Sequence, residues 1–99
     1  MQSPDPPKRV IRLLQSPTRH RFGIFSISVG PETAYYVFRE IPCFIGGRGY
    51  IVYRLGRRRS YHVRVGRRED CSCECLGYLY HRRCRHISGL LTLIRRARL

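Results

Sequence analysis

The segment CSCECLGYLYHRRCRH, residues 71–86, holds four of the chain's five cysteines and two of its four histidines. A small chain that concentrates its thiols in this way is building a metal cage, a disulfide knot or a reactive-thiol site. Five is an odd number for disulfides, and neighbours in a Cys-x-Cys segment are poorly placed to pair with each other. The N-terminal stretch MQSPDPPKRVIRLLQSP lacks the apolar core of a signal peptide. The expected compartment is therefore the reducing cell interior, where disulfides are rare. Metal binding leads.

Zinc takes four thiolate and imidazole ligands in a tetrahedron. Cys73 and Cys75 lie at i and i+2, so on extended backbone their side chains point the same way and can share one ion. Cys84 and His86 supply a thiol and an imidazole from the start of the next element. Arg82, Arg83 and Arg85 surround Cys84, and cationic neighbours favour thiolate over thiol. Three thiolates on Zn²⁺ leave a net charge of about −1, which these arginines offset. Cys71 and Cys73 also fit Cys-x-Cys, so the spacing alone leaves Cys71 as an alternate ligand.

Hydrophobic periodicity places the surrounding elements. RFGIFSISVG (21–30), AYYVFREI (34–41), GYIVYRL (49–55) and SYHVRV (60–65) read as strands, separated by Gly- and Pro-containing turns. The last two read as a hairpin across GRRR (56–59). In SYHVRV, Tyr61, Val63 and Val65 share one face, and His62 and Arg64 the other. From Arg85 the period changes: Ile87, Leu90, Leu91 and Ile94 fall at i, i+3, i+4 and i+7, an amphipathic helix ending in arginines that suit its dipole. Residues 1–19 carry four of the six prolines and read as a flexible basic tail, apart from the short VIRLL at 10–14. The expected fold is α+β: an antiparallel sheet of about four strands, then the zinc-binding segment and a C-terminal helix, in one domain spanning 20–99.

These features together resemble the SWIM zinc finger, whose pattern is Cys-x-Cys, a variable spacer and Cys-x-His. SWIM domains place a strand rich in Tyr and Val before the first cysteine, as SYHVRV stands here. An aromatic follows the second cysteine by three residues, as Tyr78 does in CECLGY, and a helix starts at the histidine, as in CRHISGLLTLI. The resemblance covers about residues 49–97. It favours Cys73, Cys75, Cys84 and His86 as ligands of one structural zinc ion, because that register places Gly77 and Tyr78 at the family's turn and aromatic. It implies a DNA-binding or protein-interaction module of the kind found attached to transposases, helicases or ubiquitin ligases. Here the module stands almost alone.

Charge bears on the partner. The formal net charge is +14, and of 20 basic residues only Lys8 is lysine. A GC-rich genome accounts for arginine over lysine, but not for base over acid. The guanidinium fork suits phosphate, so the expected partner is nucleic acid, DNA ahead of RNA, with an acidic protein surface as the alternative. Neither a small-molecule substrate nor a membrane is expected. The candidate contacts are the runs Arg57–Arg58–Arg59, Arg67–Arg68 and Arg82–Arg83, with Arg85, Arg95 and Arg96. Of the seven tyrosines, Tyr80 is the contact candidate, whereas Tyr61 and Tyr78 read as core. His62 reads as exposed or hydrogen-bonded, and His81 as a solvated or base-stacking side chain in a loop. His20 reads as lying near the end of the tail without a nearby partner, and Cys43 as a small buried apolar residue. The His-x-Glu and Pro-Cys-x-x-Cys deaminase signature, the His-Glu-x-x-His helix and the phosphate-binding glycine loop are all lacking. Glu74 is the one carboxylate between ligands. The chain does not read as an enzyme.

Overall fold

A computed structural model of the protein describes residues 8–66 and 70–99. Six strands precede two helices: β1 (Arg9–Gln15), β2 (Gly23–Val29), β3 (Glu32–Ile41), β4 (Arg48–Arg54), β5 (Ser60–Val65), β6 (Cys71–Cys73), α1 (Leu76–His81) and α2 (Arg85–Arg95). The strands pair antiparallel in chain order, forming one meander. Each strand finds its partner next to it in sequence, which local turns can secure without long crossovers. The β4–β5 turn bonds the amide of Arg57 to the carbonyl of Arg54 at 2.9 Å and passes through Gly56 at φ +90°, where a side chain would be strained.

Alternation sorts the strand side chains. Phe25 and Ile27, Tyr36 and Phe38, Tyr50 and Val52, and Val63 and Val65 are buried on one face. The rings of Phe25 and Tyr36 stack at 5.2 Å between centroids. Helix α2 closes this face, burying Ile87, Leu90 and Leu93 against β1, β2, β5 and β6. Leu93 is 1 % exposed, although the heptad-like reading favours Leu91 and Ile94, which are half-buried. The buried face is turned toward Gly89, which is buried with Ile87, Leu90 and Leu93 where α2 comes close to the sheet. A Cβ there would run into the Phe25 ring.

The four expected strands are present, but the sheet has six. Residues 9–15, expected within a flexible tail, form edge strand β1. Ile11 is buried, and Arg96 Nη1 donates to its carbonyl at 2.8 Å. The prolines at 4, 6, 7 and 17 flank this strand without interrupting it, which is where an edge strand tolerates them. Residues 1–7 lie outside the described residues. The second addition, β6, is only three residues long and consists of the first two thiols of the cysteine segment with Ser72. Cys43 is half-buried, not buried as expected, with its thiol 3.2 Å from the carbonyl of Gly46. Among the described residues no helix is long and apolar enough to cross a membrane.

Candidate metal centre

Strand β6 pairs with β5, setting Cys73 opposite Val63 and Cys71 opposite Val65. Both thiols therefore take the sheet face that α2 covers. The chain stays extended for two more residues: the amide of Glu74 bonds to the carbonyl of His62 at 3.3 Å. Alternation turns Glu74 outward, where its carboxylate accepts from the backbone amide of His62 at 3.1 Å and lies 3.2 Å from His62 Nδ1. Cys75 turns back inward. The ligand-flanked carboxylate is thus tied to the outer strand surface, which also fixes His62.

Cys75 precedes α1, and α1 ends at Arg82, whose left-handed conformation (φ 58°) reverses the chain. That reversal brings Cys84 back as the N-cap of α2, its sulfur 3.5 Å from the amide of Ile87. His86 follows in the first turn of the helix. The segment 76–81, which carried His81 in an expected loop, is thus helical and shapes the spacer between the two ligand pairs.

The result is a cluster of Cys73, Cys75, Cys84 and His86 whose ligand atoms all lie within 4.8 Å of one another. Cys73 and Cys75 are buried and Cys84 is half-buried. Zinc bonds of about 2.3 Å to sulfur and about 2.0 Å to nitrogen imply tetrahedral edges of about 3.5 Å from S to N and about 3.8 Å from S to S. The observed distance from Cys73 Sγ to His86 Nδ1 is 3.6 Å. The donor set is soft, borderline and four in number, as zinc prefers, and it leaves no ligand position for water. Such a site is structural. The ring of His86 is held from two sides, edge-on to Tyr36 at 5.4 Å and tilted on Tyr61 at 5.1 Å.

The thiols differ electrostatically. The hydrogen bond from Cys73 holds the Cys84 thiol well below its ordinary value, assisted by His86 and the Ile87 amide. The same contact, together with burial, pushes the Cys73 thiol up. One thiolate is already favoured where a cation would bind. Cys71 stands outside the cluster of four; its carbonyl accepts from the Tyr78 hydroxyl at 3.0 Å. Tyr61, from β5, and Tyr78, from α1, are half-buried against the core.

Among the described residues, several of the expected contact residues line two grooves that share Arg85. A cleft of about 700 Å³ opens beside the metal centre. One wall is the β4–β5 hairpin, with Arg54, Arg57, Arg58 and Arg59; the other is formed by residues 75–77 and 84–86 and includes Arg85. Arg59 lies over the Tyr61 ring at 5.5 Å. Sequence reading did not single out Arg54, because a lone arginine at the end of an apolar strand carries no run signal. Arg83 lines a second groove with Arg9 and His81, which shares Cys84 and Arg85 with the cleft. Arg82 stacks over Tyr78 at 5.7 Å, and Tyr80 is 78 % exposed. Arg96 is committed to the carbonyl of Ile11, while Arg95 is exposed at the end of α2. Arg67 and Arg68 lie outside the described residues.

Comparison with protein families gives a match to the SWIM zinc finger over residues 61–94, about a third of the chain. The match takes in nearly all of β5, then β6, α1 and α2, and is narrower than the 49–97 expected from resemblance. Neither a curated protein nor a solved structure matches the chain. Residues 61–94 thus match the SWIM zinc finger, and the Cys3His cluster within them fits one structural zinc ion.

Proposed function

We propose that this zinc-stapled module binds nucleic acid, with exposed arginines on the backbone phosphates. One observation carries the reading: the arginines of the cleft differ from those the fold itself uses. Arg48, Arg64 and Arg96 are spent inside the fold, on Glu40, Asp70 and the Ile11 carbonyl. The five arginines of the cleft make no side-chain hydrogen bond or close ion pair among the described residues; the acids nearest them are Glu32, which shares a neighbouring groove with Arg54 and Arg85, and Glu74, on which Arg59 acts at longer range. Guanidinium forks without a hydrogen-bonded acid, crowded together at a formal net charge of +14, repel one another, and phosphate relieves that repulsion.

Fluorescence anisotropy of labelled DNA and RNA oligonucleotides with zinc-loaded protein, taken over a salt series, tests this. Affinity should fall linearly on a log–log plot, by a slope of about 0.7–0.9 per phosphate neutralised. Absence of binding at low salt, or affinity indifferent to salt, contradicts it. DNA is the first target, ahead of RNA. A second reading, a protein adaptor, draws on Phe44 and Ile45, 96 % and 80 % exposed in the β3–β4 connection. A partner retained at high salt and lost in Phe44→Ala would favour it.

A further inference from the structure

We infer that the cleft beside the metal centre receives one unpaired nucleotide, so that single strands are bound ahead of duplex. The inference rests on the nucleic-acid reading above and assigns it a particular site and strand state.

The shape of the cleft argues for it. A duplex keeps its bases stacked and offers only groove edges and phosphates, so a pocket of single-base size can be filled only by a base that has left the stack. Here the arginines rim a concavity of about 700 Å³. Its size falls within the range of roughly 300–1,000 Å³ that small-molecule and cofactor sites occupy. An unpaired base with its sugar and phosphate has the dimensions of such a ligand.

The chemistry of the lining agrees. Tyr61 and Leu76 give the cleft apolar surface, and Leu76 is 59 % exposed although it lies beside a metal ligand. Arg59 is held over Tyr61, which fixes its planar guanidinium as a platform. Single-stranded nucleic acid is recognised by this pairing of planar side chains for bases with cations for phosphates. Arg57 and Arg58 on the hairpin and Arg85 on the opposite wall would take the phosphates on either side of the held base.

The wall opposite the hairpin depends on the metal. Cys75, Cys84 and His86 line the cleft as well as the zinc cluster, and Arg85 stands between two of them. The width of the cleft and the placement of Arg85 thus follow from closure of the zinc site.

The test uses the zinc-loaded chain with a single-stranded DNA oligonucleotide carrying 2-aminopurine, and with the same oligonucleotide annealed to its complement. Anisotropy gives affinity, and 2-aminopurine emission reports whether a base is restacked on the protein. The single strand should bind at least about tenfold more tightly than the duplex, with a change in emission on binding. The double variant Arg57→Gln/Arg59→Gln should lose at least about tenfold more affinity for the single strand than Arg12→Gln/Arg19→Gln, which removes equal charge from exposed positions elsewhere. Arg59→Lys keeps the charge but not the plane; it should preserve the salt slope and lose the emission change. Zinc content and circular dichroism of each variant confirm that the fold is retained.

Equal affinity for duplex and single strand, or equal losses in the two double variants, would overturn the cleft assignment and leave nucleic-acid binding standing. Binding to neither form would overturn both.

Discussion

Cys73 and Cys75 flank Glu74, and the alternation of extended backbone decides the fate of all three: two thiols inward to the metal, one carboxylate outward to His62. The ligand set was legible because spacing is a local property. The register, Cys73 with Cys75 against Cys71 with Cys73, was not fixed by alternation, since all three thiols fall on the same side. It depends on where β6 stops pairing with β5. Cys75→Ser should weaken zinc binding by more than the roughly 10–100-fold that loss of a supporting contact costs, whereas Cys71→Ser should leave affinity near wild type. Competition with a chromophoric chelator measures both. Equal losses would place the ligand set elsewhere. Asp70 shows a different kind of residue-level order. Arg64 holds its carboxyl below the ordinary carboxylate range by binding the ionised form. A lowered native pKa stabilises the fold above the unfolded value of about 3.9 and loses that contribution only as pH falls through the native value. The stability lost in Arg64→Gln should therefore be constant between about pH 5 and pH 7 in thermal melts. A loss that shrinks toward pH 5 would contradict it.

Among the elements, α2 carries the largest share of what the zinc site must hold in place. Its requirement is simple: one apolar stripe against the sheet and one close approach. Leu90 is fully buried, so Leu90→Ala should destabilise the fold by about 2–5 kcal/mol in urea denaturation. Gly89→Ala sets two effects in opposition. Helix propensity favours alanine by about 1 kcal/mol, but its methyl group would collide with Phe25, and overpacking of this kind costs about 1–3 kcal/mol. The clash should win, giving net destabilisation; a stabilised variant would show that α2 does not lie so near the sheet. The central strands and α2 were legible because each repeats its period several times. β1 was masked by the prolines around it, β6 is too short to alternate, and the six residues of α1 include a glycine and no buried side chain. Their positions are set by pairing and ligand geometry, not by a pattern of their own.

At the scale of the whole molecule, a meander sheet of neighbouring hairpins is joined to a helix face through four metal ligands, two on the sheet side and two at the helix start. The cleft was not legible, because its walls come from residues 54–61 and 75–86 and meet only once the zinc segment has folded back over the sheet. Charge composition announced a polyanion partner without saying where it binds. All of it depends on the metal fastening helix to sheet. Native mass spectrometry of the reduced protein, before and after chelation and with circular dichroism alongside, tests that most directly. The account predicts one zinc per chain and loss of ordered structure when it is removed. A chain that carries no metal and keeps its fold would contradict it.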